Sequence, residues 1–460
     1  MTSQSTGART WKPSVFNVFQ ERDGLCHCFN SRTAEFFTLR SAEYELVRRC
    51  LDEVTAAGRC SLGEMQELLE QSSLVVPGET DERELEHRRF LDRKDSVEWA
   101  FLSIVPTFAC NLRCPYCYQE SVRRAAPMAP AVAAAVVELF TELTERVEGI
   151  SVFWFGGEPL LALDTIEWLS ERFQRVCRER RRRYLAEMVT NGSLLSPELV
   201  GRLGLLGLRR LEISADGLPE TYSRRKGLPI ERSRALYGFL IGQAGALMES
   251  CGALTIHINV DRQNAGEAQE LVQRFVRESA AARRIRFRLQ ALSGGKGLLE
   301  CMPRNCYSVP EAVEAQAEFN RFLAGQGMEW SGLPPRLNHP CMAVRKYAFT
   351  IDPAGNIGRC VPATGLPGAS FFRMDQAGRG GWLARLEACP QPYVEFDPFE
   401  DPVCGACGFL PVCLGQCPRD HQVGPFVCAR RTEFAANLEQ AGSQAAMAAP
   451  ETVSAGREAL

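Results

Sequence analysis

No run of apolar residues in this chain reaches membrane-spanning length, so no helical membrane span is expected. Residues 1–10, Met-Thr-Ser-Gln-Ser-Thr-Gly-Ala-Arg-Thr, also lack the apolar core of a signal peptide. Export is not indicated, and the expected location is cytoplasmic. An excess of charge of one sign is missing as well. With 53 Lys and Arg against 56 Asp and Glu, the net charge is -3, which gives no support for a nucleic-acid or membrane partner. The one dense basic run, residues 178–183, reads as the end of a helix with its charges in solvent. A disorder-prone composition is absent too. At 45% hydrophobic and 24% charged, 460 residues suffice for two or three domains with substantial cores. Cysteine is plentiful instead. Nineteen in a chain without an export signal point to metal rather than disulfides.

Three of them, Cys110, Cys114 and Cys117, stand within Cys-Asn-Leu-Arg-Cys-Pro-Tyr-Cys. A four-iron cluster ordinarily takes four thiolates, so three leave one iron position open for a small molecule. Taken alone, such a triplet would also suit zinc. Residues 100–107 just before it are apolar and strand-like, placing the cysteines on the loop after a buried strand, where catalytic loops sit in barrels. Phe155-Gly156-Gly157-Glu158-Pro159-Leu160 follows the strand-like run 150–154. Thr190-Asn191-Gly192 follows 184–189, and Ser214-Ala215-Asp216-Gly217 follows 208–213. Each of these alone would be a turn or a cap. Their ordered recurrence after successive apolar runs is what carries weight.

The Cys-x3-Cys-x2-Cys loop, with Tyr116 directly before its last cysteine, resembles the radical S-adenosylmethionine (radical SAM) family. The resemblance implies a [4Fe-4S] cluster on Cys110, Cys114 and Cys117, with SAM on the free iron. It also implies that Gly156, Gly157 and Glu158 meet the methionine amino group, the glycines by close backbone approach and Glu158 as an acceptor. Tyr116, Ser214 and Asp216 would lie near SAM. Arg232, eighteen residues after Ser214, is the expected partner of the SAM carboxylate through paired hydrogen bonds, with Arg224, Arg225 and Arg234 as alternatives. The implied fold class is α/β, a partial (β/α)6 TIM-type barrel. Strand-like runs at Phe101, Val152, Leu185, Leu211, Leu254 and Arg284 fit it, with helical stretches at 130–147, 165–180 and 197–205. His257 and Asn259 alternate with apolar residues on the fifth strand and could face the cavity or be satisfied structurally.

A second cysteine set resembles the SPASM extension of peptide-modifying radical enzymes: Cys341, Gly355-x4-Cys360, Cys404-x2-Cys407-x5-Cys413-x3-Cys417 and Cys428. The Cys-x2-Cys element alone would equally fit a zinc knuckle. The resemblance implies two auxiliary [4Fe-4S] clusters, three in all. Cys404, Cys407, Cys413 and Cys428 would hold one, and Cys341, Cys360 and Cys417 the other, which is then one ligand short. Cys389, Cys301 or Cys306 could close it, a water or carboxylate could, or it stays open to a substrate thiolate. Sulfatase-maturing relatives carry an aspartate just after the Gly-x4-Cys element as a base, whereas here Cys360 is followed by Val361-Pro362-Ala363. The remaining cysteines, Cys26, Cys28, Cys50, Cys60, Cys177 and Cys251, read as small core residues.

Ahead of the barrel, residues 14–21, 25–29 and 34–39 read as three strands with a turn at Arg22-Asp23-Gly24. Ser41 then reads as the cap of a helix over 42–54, followed by helices at 62–70 and 80–94. This order resembles the winged-helix, leader-peptide recognition (PqqD-like) domain fused to maturases of ribosomally made peptides. The expected domains are 1–95 for leader recognition, 96–310 for the barrel, 311–435 for the auxiliary clusters, and a tail over 436–460.

Together these resemblances imply a radical SAM maturase of a precursor peptide with a leader, reduced by a flavodoxin or ferredoxin and forming an oxidative cross-link, thioether favoured. The alternatives are carbon-carbon or carbon-oxygen cyclisation and sulfatase-maturase-like formylglycine formation. No catalytic side chain is assigned by the sequence.

Overall fold

The computed structural model describes residues 9–293, 305–328, 333–334, 336–374, 380–422 and 428–448. The chain opens with β1 (Trp11–Pro13), β2 (Asn17–Arg22), β3 (Leu25–Asn30), β4 (Glu35–Arg40), α1 (Ser41–Ala57), α2 (Gly63–Gln71), β5 (Val75–Pro77) and α3 (Glu82–Lys94). Strands β2, β3 and β4 form an antiparallel sheet, and β1 pairs with β5. Asp23 and Gly24, at φ 51° and 78°, make the tight turn that joins β2 to β3, as the two-residue loop predicts. Helix α1 buries Tyr44, Val47, Cys50, Leu51 and Val54, so its apolar stripe lies where the spacing put it. Ser41 is not the cap. The helix begins at Ser41 with Arg40 as N-cap, Glu43 accepts from the Arg40 backbone N–H at 2.8 Å, and the Ser41 hydroxyl instead donates to the Gly24 carbonyl.

The barrel region runs β6 (Trp99–Ile104), α4 (Pro130–Leu143), β7 (Gly149–Trp154), α5 (Leu163–Glu179), β8 (Arg183–Thr190), α6 (Pro197–Leu203), β9 (Leu208–Ala215), α7 (Pro219–Lys226), α8 (Ile230–Cys251), β10 (Leu254–Val260), α9 (Glu267–Glu278) and β11 (Arg286–Ala291). The six strands pair in parallel in chain order. Each crossover therefore steps the same way, and right-handed crossovers put all the helices on one face. Ile150, Val152 and Trp154, Leu211 and Ile213, and Ile256 and Ile258 bury themselves in that helix-covered core. The residues alternating with them, among them Glu212, Ser214, His257 and Asn259, lie on the opposite face.

Beyond the barrel come α10 (Val309–Gly325), β12 (Ala348–Ile351), β13 (Asn356–Gly358), β14 (Ser370–Arg373), α11 (Trp382–Glu387), α12 (Leu410–Cys413) and α13 (Ala429–Ala448). Strand β12 adds to β6 in parallel, and β13 and β14 continue antiparallel, giving one mostly parallel nine-stranded sheet. Of the frayed helix or tail expected from residue 436 onward, residues 436–448 are helical. These residues continue α13, where Phe434 and Leu438 are buried with Phe29, Phe409 and Val412. The first unit also leans on the cysteine-rich region: Ser31 and Arg83 donate to the carbonyls of Gly408 and Gly405, and His87 Nε2 lies 2.6 Å from Asp397 Oδ2. Among the described residues no helix is long and apolar enough to cross a membrane.

Candidate iron-sulfur and SAM site

Cys110, Cys114 and Cys117 lie on the loop after β6, and the glycine loop after β7 lies directly upon it. Gly157 N–H donates to the Thr107 carbonyl at 3.2 Å and Glu158 N–H to that of Ala109 at 2.8 Å. A Cβ at Gly156, whose φ is +140°, would stand 2.5 Å from the Thr107 carbonyl oxygen, and one at Gly157 2.2 Å from that of Phe108. Here the glycines are required by the cysteine loop itself, whereas the sequence reading gave the close approach to a ligand.

Glu158 is likewise tied inside the protein. It is wholly buried, and its carboxylate accepts from Thr190 Oγ1 at 2.7 Å, Asn191 N–H at 2.8 Å and Leu160 N–H at 3.1 Å. Burial pushes its pKa up against those bonds. Glu158, expected as an acceptor, thus also clamps the β7 loop to the end of β8. Asn191 in turn donates to Asn111 Oδ1 at 3.0 Å and comes within 3.9 Å of Cys110 Sγ.

Three partly exposed thiols on one loop are soft donors suited to an iron-sulfur cluster or zinc. Burial raises Cys110 and Cys114, so their thiolates need a cation to hold them. Arg123 supplies part of that environment. Burial lowers its pKa, but the hydrogen bond and charge of Cys117, with Cys110 and Cys114, raise it overall, while its Nη1 donates to the Leu112 carbonyl at 3.0 Å. The cysteine spacing carried no signal for Arg123.

At the ends of β9 and β10 lies a buried ionic cluster around Asp216, which is 0% exposed. Tyr116 Oη donates to Asp216 Oδ2, and Arg225 Nε lies 3.4 Å from the same oxygen. Lys226 Nζ lies 3.3 Å from Asp216 Oδ1 and donates to Ser214 Oγ at 2.9 Å. Asn259 Nδ2 donates to Asp216 Oδ1 at 3.3 Å, and Arg225 Nη1 to Asp261 Oδ2 at 2.7 Å. Burial would lower the pKa of Lys226, yet the Asp216 charge raises it overall. Tyr116, Ser214 and Asp216 are thus brought together as expected.

Arg232 is not among them. It lies exposed on α8, whereas Arg225, one of the named alternatives, is buried with its Nη2 lacking a partner. An unpaired buried guanidinium N–H beside this cluster suits a carboxylate ligand. Lys226 and Asp261 were not anticipated, since neither stands in a motif.

The second cysteine set separates into two groups. Cys404, Cys407, Cys413 and Cys428 line one hollow with Leu410 and Arg431. Burial pushes Cys404 and Cys413 up to about 12, with neighbouring thiol charges adding to it. His421 stands beside this group, its Nδ1 3.2 Å from Asp401 Oδ2 and its Nε2 3.1 Å from the Gly415 carbonyl and 4.0 Å from Cys404 Sγ. Such a neighbour orients a metal-binding sulfur from behind, and nothing in the cysteine spacing indicates it.

Cys341, Cys360 and Cys417 form the other group. Burial pushes Cys341 up to about 11, and the charges of Cys417 and Cys360 act on it in the same direction. Burial raises the pKa of Tyr393, held at φ 70°, and the charges of Cys360, Cys417 and Cys341 act in the same direction. The candidates for a fourth ligand fare differently. Cys306 is disulfide-bonded and packs with Leu292 and Tyr116, which removes its thiol. Cys389 donates its backbone N–H to Leu386 at the end of α11 and makes no described contact with the three, and Cys301 lies outside the described residues.

Residues 104–236 match the model of the Radical SAM superfamily. The chain is 30% identical over 136 residues to the AdoMet-dependent heme synthase of Methanosarcina barkeri, a match covering 29% of this chain and 36% of the relative. It thus spans about a third of that protein's length. To the GTP 3',8-cyclase of Synechococcus sp. (strain CC9902) it is 28% identical over 291 residues, covering 59% of this chain and 82% of the cyclase. The solved structure of anSMEcpe with bound AdoMet and Cp18Cys peptide is similar in fold, with a TM-score of 0.53 at 19% identity, over 75% of this chain and 97% of that one. The chain therefore carries, on residues 104–236, a radical SAM domain, the domain of an enzyme superfamily.

Proposed function

We propose that this protein is a radical SAM peptide maturase that oxidatively cross-links a ribosomally made precursor peptide, with a thioether as the favoured link. The observation that carries the reading is the division of seven cysteines, far apart in the chain, into a group of four around one hollow and a group of three, Cys341, Cys360 and Cys417, close enough for their charges to act on one another. That division supports two auxiliary clusters, one complete and one a ligand short and open to a substrate thiol. It also disfavours Cys389 and Cys306 as closing ligands. The superfamily match supports the SAM-binding cluster on Cys110, Cys114 and Cys117.

When bound and reduced, by a flavodoxin or ferredoxin, that cluster supplies the electron that cleaves SAM to a deoxyadenosyl radical. The chain's own residues do the rest. Asn191 and Arg123 hold the polar surroundings of the cysteine loop, the Asp216 cluster fixes Tyr116 and Arg225 at the strand ends, and Arg225 Nη2 is free to take the SAM carboxylate. The β2–β3–β4 sheet leaves strand edges for leader pairing through backbone hydrogen bonds. Ser31, in the turn between β3 and β4, donates to the Gly408 carbonyl and Arg83, on α3, to that of Gly405, which brings this unit beside the four-cysteine group and favours delivery of a tethered peptide to that region.

A formylglycine-forming activity has the fold likeness to anSMEcpe in its favour. Against it, Val361–Ala363 carries no acid where the sulfatase-maturing relatives have an aspartate, and the acid that does act on Cys360, Asp420, comes from the loop after Cys417. The test is the high-resolution mass of a precursor peptide encoded beside the gene, co-produced anaerobically, with and without thiol alkylation. Loss of two hydrogens per site with a cysteine that no longer alkylates is the expected result. Loss of two hydrogens with all thiols reactive moves the link to carbon or oxygen, and an unchanged mass refutes the reading for that peptide.

A further inference from the structure

The face of the sheet opposite the helices carries ionisable groups that the SAM and cluster sites do not use. Glu187 on β8, Arg210 and Glu212 on β9, His257 on β10 and Arg288 on β11 all lie on it, alternating with core positions. Arg210 pairs with Glu187. Glu212 Oε1 lies 2.7 Å from His257 Nδ1, and Glu212 Oε2 lies 4.0 Å from Arg288 Nη1. The other ring nitrogen, His257 Nε2, is buried and has no hydrogen-bond partner. Register pairs His257 with Ser214 on one side and Arg288 on the other. Asn259, two residues further along β10, donates to Asp216. His257 thus stands roughly 7 Å along the strand from the Asp216 cluster.

An ionised carboxylate only accepts, so Glu212 holds a proton on His257 Nδ1, and in the neutral imidazole the Nε2 lone pair is then the acceptor left outward. Burial works against ionisation of Glu212, but the hydrogen bond and charge of His257, with Arg288 and Arg210, lower its pKa overall. A buried acceptor without a donor is costly in a finished fold, and a substrate X–H is the donor such an atom awaits.

We infer that His257, oriented by Glu212, is the general base that takes the proton lost from the peptide during cross-linking. The inference rests on the peptide-oxidation reading. Two hydrogens leave the substrate. One leaves as an atom to the deoxyadenosyl radical. The other leaves as a proton to His257 Nε2 as the new bond to carbon forms, with one electron passing to an iron-sulfur centre acting as a one-electron acceptor. Glu212 is a positioning residue. Of the charged groups around His257, Glu212 on β9 contacts it, Arg288 on β11 is its register partner, Lys226 donates to its other register partner Ser214, and Arg210 acts on Glu212 and pairs with Glu187.

The test uses the full-length enzyme, loaded with iron and sulfide, and the co-produced precursor peptide. His257→Gln is expected to form product about 100-fold more slowly. Its 5'-deoxyadenosine yield stays near that of the wild type, so SAM cleavage becomes uncoupled from cross-linking. Glu212→Gln keeps the side-chain shape, removes the carboxylate that orients the ring, and is expected to slow product formation about tenfold while the 5'-deoxyadenosine yield stays near that of the wild type. Product formation by His257→Gln at the wild-type rate overturns the inference. So does a loss of product and deoxyadenosine in equal proportion, or wild-type product formation by Glu212→Gln with melting temperature and iron content intact. An unmodified peptide with the wild-type enzyme is a different failure, that of the peptide reading itself.

Discussion

Replacing Gly157 with alanine tests whether the glycine loop positions the cluster-binding cysteines. The added methyl carbon would lie 2.2 Å from the Phe108 carbonyl oxygen and 2.3 Å from that of Ala109, both backbone atoms. Carbon-oxygen contacts ordinarily stop near 3.3 Å, so the two loops must part by about 1 Å. That movement breaks the bonds from Gly157 to Thr107 and from Glu158 to Ala109, at roughly 1 kcal/mol each. The helix-covered core is untouched, so the domain should remain folded while Cys110 is drawn off its aim. The expected result after anaerobic reconstitution is loss of about a third of the iron, one four-iron cluster of three, and of SAM cleavage by about 100-fold. Gly201→Ala is the control, because a Cβ there meets nothing within 4 Å. Wild-type iron content and cleavage rate in Gly157→Ala would refute the reasoning.

Arg225→Lys should weaken SAM binding about tenfold in equilibrium dialysis, since it keeps the charge but loses the planar fork, whereas Arg232→Ala on the exposed face of α8 should leave it unchanged. Cys428→Ala should remove about a third of the reconstituted iron and Cys389→Ala none, as measured by metal analysis. Burial pushes Cys404 and Cys413 up to about 12, so in the metal-free chain both are neutral thiols at neutral pH. Because a raised thiol pKa favours the protonated form, loading should release protons and iron retention should fall as pH is lowered; calorimetry in buffers of different ionisation enthalpy measures the release. Leu438→Ala should destabilise the protein by about 2–4 kcal/mol in thermal unfolding, because Leu438 is wholly buried in a docked helix.

The six parallel strands were legible because each alternates apolar residues toward the helices, and β7, β9 and β10 carry that alternation plainly in Ile150, Val152, Leu211, Ile213, Ile256 and Ile258. Strands β12 to β14 have only three or four residues each, too few to show a period, so the extension of the sheet beyond β6 was hidden. The cysteine motifs stand out by spacing, which records covalent order along the chain, whereas their division into a four and a three came only from the SPASM resemblance. The groups that surround them were not legible. Arg123, Asp401 and His421 approach the sulfurs across loops, and Asp261 reaches Arg225 from a different strand end. The choice between Arg225 and Arg232 turned on where α7 ends and α8 begins, a matter of geometry that counting residues from Ser214 does not capture. The bonds from Thr190 and Asn191 to Glu158 were likewise not legible, because they come from the end of another strand.

The most direct measurement of the central claim is the fate of hydrogen from the peptide. A precursor peptide deuterated at its carbon positions should, on anaerobic turnover with SAM and reductant, transfer deuterium into 5'-deoxyadenosine and lose one deuterium from carbon for each cross-link formed. Deoxyadenosine that carries no deuterium while SAM is still consumed would contradict radical modification of the peptide.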